Sequence, residues 1–191
     1  MPKTIILDAE GRMKKAVEAT AKDFSRIHTG RASSSLLDNI HVEYYGTKSP
    51  IHQVATITTP EPRLIVIQPW DKTIVKDVEK AIARSDLGLN PNSDGQVIRI
   101  QIPELTTERR KELARYVSKL AEEGRVSIRN IRRDANDALR KREKSKEISE
   151  DERHTYESHV QEMTDKYTDH VNHLLKSKED ELMEQIGRAH V

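Results

Sequence analysis

The sequence predicts an α+β protein of two domains: a long antiparallel three-helix bundle with a small β/α/β domain inserted between its first and second helices. Three observations carry this expectation. Apolar residues recur at helical spacing over residues 4–28 and again from 107 into the mid-180s. Between those stretches, residues 31–104 turn to alternating and β-branched runs punctuated by proline and glycine. Three helices that each bear one apolar face need partners in water, and a bundle is the simplest arrangement that supplies them.

The first helix is expected over 4–28. Ile6, Met13, Thr20 and Ile27 recur every seven residues, with Ala9, Ala16, Val17 and Phe24 between them, a spacing suited to long near-parallel packing. Gly30 is its stop signal. Residues 31–39 read as a connection. Residues 40–45 and 53–58 read as strands, separated by the turn residues Gly46 and Pro50. The two prolines in 59–62 mark a break. Residues 63–68 form a buried strand closed by Pro69, and 72–84 a short helix with Ile74, Val75, Val78, Ala81 and Ile82 on one side. Asn90-Pro91 and Asp94-Gly95 are turn signals, and 97–102 is a further alternating strand.

The second helix is expected from 107 to about 145, roughly 58 Å long at about 1.5 Å per residue. Thr106 is its N-cap, and Leu113, Val117, Leu120, Gly124, Ile128, Ile131, Ala135 and Ala138 form its stripe. Ser149 and Glu152 make a capping box that opens the third helix, whose stripe is Tyr156, Val160, Met163, Tyr167, Val171, Leu174 and Leu182. The expected domains are therefore 1–30 with 105–185 for the bundle and 31–104 for the insertion, with 186–191 an extra tail. The two crossings, at Gly30 and Arg31 and at Pro103 and Glu104, make a hinge.

The functional signal lies in the second helix. Residues 125–146, RVSIRNIRRDANDALRKREKSK, hold nine Lys or Arg against three Asp or Glu, in a chain whose net charge is only +1. At about 100° per residue, Arg125, Arg129, Arg132, Arg133, Asn136 and Arg140 share an arc of about 100°. The apolar stripe of the same helix is centred roughly 130° away. The stripe is expected to be buried and the arginines to be open to a ligand. Guanidinium matches phosphate bidentately, which points to nucleic acid. The alternative is a helical adaptor whose arginines meet acidic protein partners; salt dependence and competition by RNA separate the two.

Composition bounds the rest. The near-zero net charge argues against a protein that coats nucleic acid over its whole surface. There is no Cys, which removes disulfide and thiolate chemistry and fits a reducing, cytoplasmic setting. No apolar run approaches a membrane span, and the N-terminus lacks a signal-peptide core. No nucleophile, base and orienting group form a catalytic set, so no enzymatic activity is expected. His159, His170 and His173 lack the company of a metal site and read as surface residues. Tyr44 and Tyr45 read as strand packing rather than a base-stacking platform, Trp70 as an anchor of the small domain, and SDLGLNPNSDG as turn structure.

The segments IHTGRASSSLLDNIHVEYYG, SDLGLNPNSDG, IPELTTERRKEL, RVSIRNIRRDAND and KSKEISEDE closely resemble the bacterial ribosome recycling factor family, in its order and spacing, to about Glu184. The resemblance implies an L-shaped molecule of transfer-RNA dimensions and a non-enzymatic role after termination. It implies a bundle bound to large-subunit rRNA, and a push by elongation factor G, which uses the GTP. It implies no cofactor of the chain's own, no membrane partner, and action as a monomer. Carried onto this sequence, rRNA contact falls on Arg129, Arg132 and Arg133, with Arg31, Arg110 and His28 in support. Arg110 is expected on the edge of the basic side. The sequence departs from the family at His28, where Arg is usual, at Ser33, Ser34 and Ser35, where Pro is frequent, and in the tail IGRAHV. The His28 departure implies a weaker or pH-dependent backbone contact.

Overall fold

A computed structural model describes the chain from Pro2 to Arg188, with side chains as far as Met183. Of the 186–191 tail, 186–188 continue the last helix and 189–191 lie outside the described residues. The chain divides into two compact units, Met1–Ile27 with Arg110–Val191, and His28–Arg109.

The first unit consists of α1 (Pro2–Ser25), α3 (Thr107–Lys144) from Arg110 onward, and α4 (Glu150–Arg188). Its seam is the one the sequence spacing marks out. Ile6, Ala9, Met13, Val17, Thr20 and Phe24 of α1 are buried. So are Leu113, Val117, Ala121, Ile128, Ile131, Ala135 and Leu139 of α3, and Val160, Met163, Tyr167, Val171 and Leu182 of α4. Both caps form. The Arg109 N–H donates to Thr106 Oγ1 at 3.1 Å. Glu152 N–H donates to Ser149 Oγ at 3.1 Å, while Ser149 N–H donates to Glu152 Oε1 at 3.4 Å, the reciprocal pair that satisfies two otherwise orphaned donors.

The helices run antiparallel from α1 to α3 and from α3 to α4. Arg12 reaches Asp134 at 3.2 Å, and Arg125 Nη1 donates to Asn172 Oδ1 at 2.8 Å. α1 and α3 approach each other tightly at Gly124, since a Cβ there would lie 2.5 Å from Thr20 Oγ1. That hydroxyl is itself committed to the Ala16 carbonyl at 3.0 Å.

The second unit is built on two antiparallel sheets. β1 (His41–Tyr44) and β2 (Thr47–Pro50) form a hairpin, and β3 (Ala55–Glu61), β4 (Leu64–Pro69), β6 (Ile98–Gln101) and β5 (Pro91–Ser93) lie in the order β3-β4-β6-β5. α2 (Val75–Ala83) buries Val75, Val78 and Ile82 in the same core as Ile65, Ile67, Ile98 and Ile100 of β4 and β6. A short 3₁₀ turn, Lys72–Ile74, precedes α2, with the Asp71 side chain accepting from Thr73 N–H.

Four local expectations change. The turn residues around Gly46 join two paired strands: Tyr45 and Gly46 have φ of 51° and 78°, and Tyr44 faces Thr47, the geometry of a two-residue hairpin turn matched to strand twist. The chain does not break at 59–62. β3 continues to Glu61 with a register shift between Thr58 and Glu61; β3 is an edge strand, where the missing Pro60 N–H leaves no ladder bond unmade. Pro91 opens strand β5 rather than a turn, again at an edge. Trp70 is 66 % exposed and so does not anchor the core; its indole N–H donates to Thr56 Oγ1 at 2.8 Å.

Two predictions follow from these contacts. Gly124→Ala should lower bundle stability by roughly 1 kcal/mol, since an overpacking cost of about 1–3 kcal/mol is offset by about 1 kcal/mol of helix propensity. Adding Thr20→Ala should recover most of the loss in urea denaturation. In the loop after β5, the N–H groups of Val97 and Gln96, with Arg99, hold the Asp94 carboxyl down at about 2. A depressed folded-state value stabilises the fold above the ordinary carboxylate range, and that stability is lost as pH falls through it towards 2. Asp94→Asn should therefore flatten the pH dependence of unfolding between about pH 4 and pH 2.

Candidate nucleic-acid interface

The amphipathic division of α3 fixes the site. With Ile128, Ile131, Ala135 and Leu139 buried in the seam, the arginine arc has to face outward. Arg129, Arg133 and Arg140 are exposed and Arg132 is half-buried. Together with Val126, Asn130, Asn136 and Asp137 they line an open groove of about 410 Å³. Four guanidinium groups meet one carboxylate there. The other acids of the block are turned elsewhere: Asp134 to Arg12 at 3.2 Å, and Glu143 to Arg153 at 2.5 Å.

Side-chain amides and two carboxylates hold the arginines in place. Arg132 Nη1 donates to Gln161 Oε1 of α4 at 3.4 Å, and Gln161 is in turn held by Asp165 at 2.9 Å. Arg133 donates to Asn130 Oδ1. Arg140 lies 3.7 Å from Glu157. Arg129 Nη2 and Arg125 Nε both donate to Glu122, at 2.6 Å and 3.0 Å. The Arg129 guanidinium first, and then that of Arg125, holds the Glu122 carboxyl below its usual range. None of these arginines enters the apolar seam. Arg125, grouped with the arc by its angle, has a side chain only 19 % exposed and is tied to Glu122 and Asn172.

The remaining sequence candidates sit differently. Arg110 is 7 % exposed, a buried residue rather than an open cation on the edge of the basic side. His28 and Arg31 belong to the His28–Arg109 unit; Arg31 is exposed and His28 half-buried. Gly30 N–H donates to His28 Nδ1 at 3.0 Å, which shapes this turn. Gly30 itself has φ of 77°, a conformation in which glycine is unstrained. Pro103 and Glu104 are exposed, with Glu104 3.7 Å from Arg63.

Sequence reasoning missed Glu122, Val126, Asn130 and Asp137. All four were within reach of the same wheel: at about 100° per residue Glu122 falls inside the arginine arc, and the other three extend it on its far side. Among the described residues no group of three or more His, Asp or Glu is placed to hold a metal ion, and His173 Nδ1 lies 2.8 Å from the Asp169 carbonyl. No described helix is long and apolar enough to cross a membrane.

A helical bundle carrying a groove of guanidinium and amide donors has the chemistry of a scaffold for anionic partners. Comparison with known proteins narrows that class. Residues 20–183 match the sequence model of a family described as ribosome recycling factor. The ribosome-recycling factors of Halothermothrix orenii and Symbiobacterium thermophilum are 51 % and 53 % identical over 184 residues, covering 96 % of this chain and 100 % of each relative. A solution structure of a ribosome recycling factor superposes with a TM-score of 0.81 at 46 % identity, covering 96 % of this chain and 97 % of that one. A second matches with a TM-score of 0.68 at 44 % identity, covering 95 % and 98 %. It is the Thermus thermophilus ribosome recycling factor placed with Escherichia coli elongation factor G on the post-termination complex. The chain belongs to the ribosome recycling factor family, and it is a non-enzymatic translation factor.

The contrast between buried and open arginines is measurable without any ligand. Arg110→Ala should lower the unfolding free energy by at least about 1 kcal/mol, whereas Arg133→Ala should stay within about 0.5 kcal/mol of the parent. Chemical denaturation of the two variants side by side checks this.

Proposed function

We propose that the chain grips large-subunit rRNA through Arg129, Arg132 and Arg133, with Arg31 and His28 in support, while the buried Arg110 serves the fold. With elongation factor G and GTP it then splits the post-termination complex. The observation that carries this reading is the groove on α3, where the three arginines converge with Arg140 outside the apolar seam. Each guanidinium presents paired donors to a phosphate, and the fixed spacing along one helix suits a backbone with regular charge. The structural relative placed with elongation factor G on the post-termination complex supports the same partners here.

The factor acts by binding and movement, in the cytoplasm and as a monomer. It needs no cofactor of its own, because the GTP is consumed by elongation factor G. Residues 1–30 with 105–185 form the RNA-gripping body and 31–104 the part that swings, on a hinge at Gly30, Arg31, Pro103 and Glu104. Backbone bonds within the smaller unit support this placement. Ala32 N–H donates to the Pro62 carbonyl and Ile102 N–H to the Arg63 carbonyl, both at 2.7 Å. The two stretches of chain that lead to the ends of the unit are thus pinned beside each other, on consecutive residues.

The decisive experiment is co-sedimentation of Arg132→Ala with isolated large ribosomal subunits across a salt series. The variant should keep the parent's unfolding midpoint and bind more weakly. Its plot of log affinity against log salt should lose about 0.7–0.9 of slope, the share of one phosphate contact. Binding equal to that of the parent would overturn the assignment.

A further inference from the structure

We propose that Glu122 is a positioning residue for the arginine stripe: it holds Arg129 and occupies, in the free protein, the place an RNA phosphate takes in the bound one. This rests on the reading that the stripe binds rRNA, and it adds a residue that reading does not contain. Three observations carry it. The Glu122 carboxylate spends one oxygen on each arginine, Oε1 on Arg129 Nη2 at 2.6 Å and Oε2 on Arg125 Nε at 3.0 Å. Arg125 is anchored in turn on Asn172 of α4 at 2.8 Å. The chain Asn172–Arg125–Glu122–Arg129 therefore runs from a neighbouring helix to the rim of the groove. Glu122 and Arg129 are seven residues apart, two turns of helix, so the contact needs the Arg129 side chain to lie back along α3 rather than extend into solvent.

A carboxylate and a phosphate oxygen make the same kind of charge-assisted bond to a guanidinium. Phosphate arriving at Arg129 must displace Glu122, which then has to recover water and a counter-ion. The exchange lowers the net gain of binding and the number of ions released. It also orders Arg129 before RNA arrives, and it offers the guanidinium a partner to return to when RNA leaves. The side chain of Glu122 is 52 % exposed, so the exchange takes place in solvent and its magnitude is that of a surface pair.

The test is Glu122→Gln, which keeps size and hydrogen-bonding reach but removes the charge, in co-sedimentation with isolated large ribosomal subunits from low to high salt. The variant should bind up to about fivefold more tightly at low salt, with a steeper salt dependence, by up to about 0.9 in slope. In an Arg129→Ala background the same substitution should change neither quantity. Unchanged or weaker binding by Glu122→Gln in the parent background overturns the proposal, as does a gain that persists without Arg129. A different failure is recognisable as such: if Arg129→Ala and Arg132→Ala both bind like the parent, the stripe itself is not the RNA contact, and the role of Glu122 falls with it.

Discussion

Everything at the candidate site depends on how α3 divides its circumference. Ile128, Ile131, Ala135 and Leu139 are committed to the seam with α1 and α4, and burying aliphatic side chains of this size contributes on the order of 1.5–3 kcal/mol each. An unpaired guanidinium in that seam would cost several kcal/mol. The rotation of the helix about its axis is therefore fixed by the apolar side, and the arginines have no choice of direction. Specific pairing then refines what burial has settled: Gln161, Asn130 and Glu122 hold individual guanidinium groups without taking them out of water.

The same division explains why the helices were easy to read. A seven-residue spacing from Ile6 to Ile27 and a four-and-three spacing from Leu113 to Ala135 each encode one face, and the caps at Thr106 and Ser149 are local signals answered by local hydrogen bonds. In the smaller unit the information is spread over the fold. Pro60 and Pro91 look like interruptions until their strands are known to lie at sheet edges, where a missing N–H goes unnoticed. Pairing across space decides that, and no window of sequence contains it. Trp70 was misjudged for a related reason: its position after a buried strand suggested burial, but the side chain leaves the core and is held at the surface by Thr56.

The site was legible in part. The arc from Arg129 to Arg140 follows from angle alone, and the structure brings its members to one groove. Arg110 shows the limit of that argument. It lies on α3 as they do, but a position on a wheel gives direction and not depth, and Arg110 is buried. Glu122 shares the arc on the wheel but precedes the 125–146 block in which the charges were counted, so it was passed over. Only side-chain geometry reveals that it engages Arg129.

The four-stranded sheet of the smaller unit has a proline on each of its two outer strands, Pro60 in β3 and Pro91 in β5. An open sheet edge is a template on which a second chain can add strands and start an aggregate. A proline at each margin withholds a donor from any newcomer and spoils the repeat it would need. The unit is thus protected against lateral growth at both margins of its sheet, a safeguard that does not depend on any neighbour covering them.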